Sequence, residues 1–296
     1  MDSLKSRWGR WGTDDERGAL NFADQAATLR GIGLVRRGES FSLCIPIRRS
    51  GPFAGTKTRN RPLHLMRLTG GDYADAAQGQ LCVADDYVFL PTHGCTHIDA
   101  LCHAWSDGQL YNGFPSSSVR TSGARKLSVH TIGPVLTRGI LVDIPGLLGV
   151  PYLEKGFVIS RSHVEEALRR QGIGGLESGD AVLFRTGWLG AYDELGAETF
   201  EGDSRPGIGR EVAEWLVDGE ACAVGADTAA VEVVPGEDGT MMPLHLELLR
   251  NQGLPLIELL VLDELAAAGH FEFLLALNPL PVVGGTGGPL APIAVV

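Results

Sequence analysis

The sequence predicts a mixed α/β fold, and three observations carry that expectation. Short apolar runs recur along the chain, amphipathic stretches of helical period fall between them, and 40 glycines punctuate the connections. Strands alternating with helices point to a sheet with helical crossovers rather than to a bundle or an all-β sandwich. The 296 residues, 44% hydrophobic and 21% charged, supply enough apolar material for a substantial core. No internal repeat or low-complexity linker divides them, so residues 1–296 are expected to form a single domain with an N-terminal arm over about 1–40.

Taken in order, Thr13 and Glu16 have the spacing of a capping box that opens a short helix through Leu20. Short apolar strands are expected at 42–47, 87–90, 139–144, 181–185, 221–226 and 255–262. A helix over 160–171 is capped by Ser160 or Ser162 and stopped at Gly172, and further helices are expected at 209–217 and 242–253. The run GGTGGP at 284–289 lacks the Lys-Ser/Thr of a phosphate loop and reads as a backbone turn close to a site.

Charge and composition exclude several classes. A net charge of −11 argues against nucleic acid as a partner, because phosphate recognition needs a basic surface. No apolar run approaches the length of about 18 residues that a membrane helix needs. The opening MDSLKSRWGRWG has no apolar core and does not read as a signal peptide. Five cysteines (Cys44, Cys82, Cys95, Cys102, Cys222) form no C-x-x-C pair, which fits a reduced cytoplasmic protein better than a disulfide-stapled one.

The densest chemistry lies in PTHGCTHIDALCH, residues 91–103, where His93, His97, Asp99 and His103 follow as H-x3-H-x-D-x3-H. Imidazole and carboxylate at such range point to a divalent metal, and Zn²⁺ or Mn²⁺ suits this donor set. A continuous helix puts His93 and His97 on one face but not Asp99. A continuous strand puts all four on one face but spreads His93 and His103 roughly 33 Å apart. A bend at Gly94-Cys95 followed by a helix start over 100–103 resolves the conflict. It gathers His93, His97 and Asp99 round one ion, with His103 a turn beyond, placed to move protons. Cys95 and Cys102 flank these residues and are read as packing groups.

HGCTHIDALCH resembles the H-x-G-T-H-x-D-x-x-x-H signature of the cyclase family of metal-dependent hydrolases, which includes bacterial kynurenine formamidase and isatin hydrolase. WGTDDERGALN, DALCHAWSDGQLYNG, DAVLFRTGW, VGADTAAVE and the closing FLLALNPLPVVGGTGGPLAPIAVV are similar to the longer bacterial members. Cys95 before Thr96 departs from the glycine usual in shorter relatives and leaves the ligand positions unchanged. The resemblance implies a swivelling β/β/α arrangement round a mixed sheet, assembled as a homodimer or homotetramer. It implies His93, His97 and Asp99 as metal ligands and His103 as the catalytic acid/base. It also adds His245 and Glu258, which complete a second metal site in formamidase-like members, so that one or two ions are bound and Asp99 bridges them when there are two. Glu258 among Leu256, Ile257, Leu259 and Leu260 would be costly to bury without a cation, in keeping with a ligand role.

The function so implied is hydrolysis of a C–N amide bond in a small molecule: an aryl formamide, a lactam or a related cyclic amide. Apolar walls are expected from Trp8, Trp11, Phe53, Trp105, Tyr111 and Trp188, with Trp11, Tyr111 and His64 singled out as substrate-binding. A metal-dependent cyclase or lyase acting on a secondary-metabolite intermediate is the alternative, since the same residues serve both. A purely structural zinc protein fits less well, because such sites are closed and thiolate-rich.

Overall fold

The computed structural model describes residues 4–53 and 58–296. Its strands are β1 (Ser40–Ser42), β2 (Leu63–Leu68), β3 (Asp85–Phe89), β4 (His97–Asp99), β5 (Val119–Arg120), β6 (Gly123–Ala124), β7 (Val135–Asp143), β8 (Val158–Ile159), β9 (Ala181–Arg185), β10 (Gly207–Ile208), β11 (Ala223–Ala226), β12 (Leu256–Glu258), β13 (Glu272–Leu277), β14 (Gly287–Pro289) and β15 (Ile293–Val295). The α-helices are α1 (Gln25–Ile32), α2 (Ile144–Leu148), α3 (Arg161–Gln171), α4 (Tyr192–Phe200), α5 (Arg210–Asp218), α6 (Pro243–His245) and α7 (Asp263–Ala267).

Nine strands form one mixed sheet in the order β1-β15-β13-β7-β9-β11-β12-β4-β14, as the mixed α/β expectation requires. Its centre, β7-β9-β11-β12, is parallel. Parallel neighbours need crossovers, and α2 with α3, then α4 with α5, then α6 supply them in turn. These central strands are apolar on both faces, with Ile140, Val142, Val182, Phe184, Val224 and Ile257 all fully buried. The flanks are antiparallel: β13, β15 and β1 on one side, β4 and β14 on the other. The second antiparallel flank carries the histidine motif.

The helix over 160–171 forms as expected. The Ser160 hydroxyl accepts from the His163 amide at 3.3 Å, His163 Nδ1 accepts from the Ser160 amide at 3.2 Å, and Gly172 closes the helix in the left-handed region. Strand 181–185 is also reproduced to the residue, as β9. Other expectations need correction. No capped helix opens at Thr13: Glu16 instead accepts from Lys126 Nζ and the Leu127 amide, both at 2.7 Å, and a short 3-10 turn begins at Gly18. The helix at 242–253 is one turn of α followed by a π-helix over Leu246–Asn251, a form that often marks functional positions. The run 255–262 is reduced to β12 and a bridge from Leu260 to Cys44, because Leu259 has φ 57° and turns its amide to the Thr228 carbonyl. The run 42–47 shortens to β1 and a single bridge at Cys44. The run 87–90 belongs to a two-stranded hairpin, β2–β3, separate from the main sheet.

Among the described residues no helix is long and apolar enough to cross a membrane.

Candidate metal centre

The H-x-D spacing is a strand device. In β4 alternate side chains face opposite ways, so His97 and Asp99 share one face while Ile98 enters the core, fully buried. Register then brings Glu258 of β12 opposite His97 and Gly287 of β14 opposite Asp99. A Cβ at Gly287 would lie 2.4 Å from the His93 ring, so only glycine lets this strand pass. His93 arrives from a turn in which the Gly94 amide donates to Pro91. His103 arrives from a second turn, its own amide donating to Ala100 at 2.8 Å. The helix expected over 100–103 does not form, because the Ala100 and Cys102 amides donate to Thr286 and Leu127 of neighbouring segments. Two turns round a short strand do the work assigned to a bend and a helix. His245 ends α6 and faces the same cluster.

All six of these side chains converge. His93 Nδ1 donates to Asp99 Oδ1 at 2.7 Å, and His93 Nε2 lies 3.1 Å from the Thr286 hydroxyl. His97 Nδ1 donates to the Cys95 carbonyl at 2.7 Å, which turns its Nε2 inward, 3.4 Å from both Asp99 Oδ1 and Glu258 Oε2. His245 Nε2 lies 3.5 Å from Glu258 Oε1 and 3.9 Å from Asp99 Oδ2. The His93 and His103 rings stack with centroids 4.1 Å apart. Two sets of donor atoms lie mutually within 4.8 Å: His93, Asp99 and His103, and His97, Asp99 and Glu258. Asp99 belongs to both, whereas His93 and His97 fall in different sets.

Electrostatics mark the cluster as a place for positive charge. Burial works against ionising Asp99, yet the imidazoles of His103, His93 and His97 hold it well below the usual carboxylate range. Glu258 is likewise held low against burial by His245. Burial pulls His97 down, but Asp99 and Glu258 outweigh it and raise its pKa. The same contest at His245, with Glu232 and Glu258 on the raising side, pushes it up to about 10. His103 goes the other way: burial lowers it to about 4, leaving a neutral ring.

A divalent cation fits these residues. His97 Nε2 and Asp99 Oδ2 are buried polar atoms with no hydrogen-bond partner, a costly state that a shared cation relieves. The donors are imidazole and carboxylate, and among the described residues no thiolate joins either set.

The cluster forms the floor of a cleft of about 200 Å³, walled by Phe53, Phe200, Met241 and Met242 and edged by Arg59 and Arg205. Of the aromatic residues expected there, Phe53 alone lines it. Trp11 packs edge-on against Phe22 in the N-terminal segment. Tyr111 is fully buried, its hydroxyl donating to Asp15 at 3.1 Å. His64 stands exposed on the hairpin with Nε2 2.8 Å from Asp86. None of these three lines the cleft of its own chain. Family-like segments such as WGTDDERGALN and DGQLYNG instead tie the N-terminal segment to the body, through Asp15 and Asn112. Phe200, Arg205, Thr286 and Glu232 escaped the reading of the sequence. Only the last two carried a signal, as members of GGTGGP and VGADTAAVE.

Fold and site together define a mixed α/β protein built round a buried His/Asp/Glu cluster suited to a divalent cation. Residues 41–233 match the family described as "Putative cyclase", and the chain belongs to the cyclase family. A solved structure described as a novel cyclase is 36% identical, with 98% of this chain and 97% of that one covered and a TM-score of 0.91. Isatin hydrolase A from Ralstonia solanacearum is similar at 20% identity, covering 92% and 95%, with a TM-score of 0.63. A potential metal-dependent hydrolase with cyclase activity shares 19% identity over 86% and 98%, with a TM-score of 0.55. No match is found among curated proteins.

Proposed function

We propose that this chain is a metal-dependent hydrolase that cleaves a C–N amide bond of a small molecule, an aryl formamide, lactam or related cyclic amide. The observation that carries the reading is the inward pair of unpartnered buried atoms, His97 Nε2 and Asp99 Oδ2, set against Glu258 and His245 at the floor of an open cleft. Zn²⁺ or Mn²⁺ fits this N/O donor set. His93, His97, Asp99, His245 and Glu258 would hold one or two ions, with Asp99 shared between two. Such a cation, when bound, supplies Lewis-acid polarisation of a carbonyl and an acidified water. His103 is the general acid/base: it is neutral near pH 7, beside Asp99 and His93, and able to take a proton from water and return it to a leaving nitrogen. Phe53 and Phe200 offer flat apolar surface for an aromatic or cyclic substrate. The fold shared with isatin hydrolase is in keeping with a cyclic amide.

A cyclase or lyase reaction on a secondary-metabolite intermediate is the second reading, favoured by the description of the 36% identical structure as a cyclase. Turnover of a panel of aryl formamides and lactams in ¹⁸O-water separates the two. Solvent oxygen in a carboxylate product supports hydrolysis, and a product without it overturns hydrolysis in favour of cyclisation or elimination.

The chain works as a single domain in the cytoplasm, without nucleic-acid or membrane partners, and associates as a homodimer or homotetramer. The hairpin supports self-association: Leu65, Met66, Tyr87, Val88 and Phe89 are all about half exposed or more.

A further inference from the structure

We infer that Glu232 is a positioning residue that fixes the tautomer and aim of His245, making it a carboxylate-backed donor in contrast to His97. The inference rests on the metal-centre reading above and deepens it. Glu232 is 1% exposed. Its Oε1 accepts from His245 twice, from the backbone amide at 2.8 Å and from ring Nδ1 at 2.5 Å. Its Oε2 accepts from the Leu244 amide at 2.7 Å. With Nδ1–H committed to the carboxylate, Nε2 is the ring atom of His245 left facing Glu258 and Asp99, where a cation would replace its proton.

The surrounding backbone is arranged for this contact. Val231 has φ 63°, an unfavourable region for a β-branched residue, and Met242, three residues before His245, has φ 51°. The amides of Ile208 and Val233 bracket Glu232 by bonding to Val231 and Ile208 carbonyls, so β10 holds the strained segment from both sides. Helix capping alone would not need this arrangement, because a short Ser or Asp side chain satisfies first-turn amides without reaching a ring. His97 provides the internal contrast. Its Nδ1 is held by a neutral carbonyl, that of Cys95, so its ring gains orientation but not a full charge behind it. Glu232 therefore makes His245 the stronger electron donor of the pair.

The test compares wild type, Glu232→Gln and Glu232→Ala by chelator-competition titration with Zn²⁺, with folding checked by circular dichroism. Alongside it, the ¹⁵N-histidine NMR spectrum of each Zn²⁺-loaded protein is recorded, His245 being assigned by the signal lost in His245→Gln. We expect a protonated Nδ1 at His245 in wild type and a roughly 10–100-fold weaker Zn²⁺ step in Glu232→Gln. Glu232→Ala is expected to weaken that step at least as much, while a step that does not use His245 is unchanged. Folded variants with wild-type affinity and an unchanged His245 signal overturn the inference. If neither variant folds, the wild-type spectrum decides: an unprotonated Nδ1 overturns it, and a protonated one upholds it. A wild type that binds no Zn²⁺ overturns the metal-centre reading instead. The Nδ1 signals of metal-free wild type and Glu232→Gln then still decide whether Glu232 sets the state of His245.

Discussion

The sheet end formed by β12, β4 and β14 and the hairpin formed by β2 and β3 depart from the usual partition of side chains in opposite directions. At the first, His97, Asp99 and Glu258 are buried, and His97 Nε2 and Asp99 Oδ2 have no hydrogen-bond partner. At the second, Leu63, Leu65 and Met66 of β2 and Tyr87, Val88 and Phe89 of β3 stand in solvent. Each arrangement is costly in isolation: buried charge loses its hydration, and a two-stranded hairpin alone is marginally stable in water. In the proposed reading each region meets something outside the chain, a cation in one case and an apolar surface in the other. They should therefore fail independently.

The largest effect is expected at the shared face of β4. His97→Ala removes an inward Nε2 and leaves Asp99 and Glu258 facing one another with less compensation. Metal content, read by elemental analysis, and turnover should be lost together, with the oligomeric state unchanged. A variant that retained its full metal complement would break the comparison at its stronger side. His103→Ala comes next. This variant should keep its metal and lose about 10²–10⁴-fold in kcat, the range of general acid–base catalysis. Loss of metal instead would show that His103, which shares the 4.8 Å donor set with His93 and Asp99, is a ligand.

Why these residues could be found at all differs along the chain. The helix over 160–171 was legible because its signals are local: Ser160 and Gly172 act on amides and carbonyls within one turn. The four motif residues were legible as a chemical set, but their geometry was not. A strand, set aside as an account of the whole segment, does carry His97 and Asp99. The turn after it is fixed by Thr286 and Leu127, partners distant in sequence. His245 and Glu258 lie more than a hundred residues away, and only family resemblance brought them in. The hairpin shows the converse problem. Its apolar run was legible as a strand, but hydrophobicity does not say whether a side chain is covered by its own chain or by another.

A smaller effect separates the metal-free and metal-loaded protein. His245 is raised from 6.5 to about 10, chiefly by Glu232 and Glu258 acting against burial. Its protonated form therefore stabilises the metal-free fold fully below pH 6.5, and that contribution is lost as pH rises through about 10. A cation replaces the proton and removes this dependence. The gap in Tm between Zn²⁺-loaded and chelated protein should widen from pH 6.5 to pH 10, and a pH indicator should record proton release on loading. A gap that narrowed over that window would mean that the buried carboxylates are not compensated by His245.

The smallest effect on chemistry is expected from the hairpin, and it completes the contrast. Phe89 is 69% exposed and Leu65 is 52% exposed, so Leu65→Ser with Phe89→Ser removes apolar surface without opening a cavity. Exposed substitutions of this kind usually change monomer stability by within about 0.5 kcal/mol each. Light scattering coupled to size exclusion should show a shift toward monomer, while elemental analysis returns the wild-type metal content. The cleft is lined by other segments of the same chain, so the metal centre should persist in the monomer. An unchanged oligomer would mean that the exposed apolar strands serve a different partner. Loss of metal on dissociation would mean that the two regions are coupled, because a neighbouring copy then holds the sheet end in place.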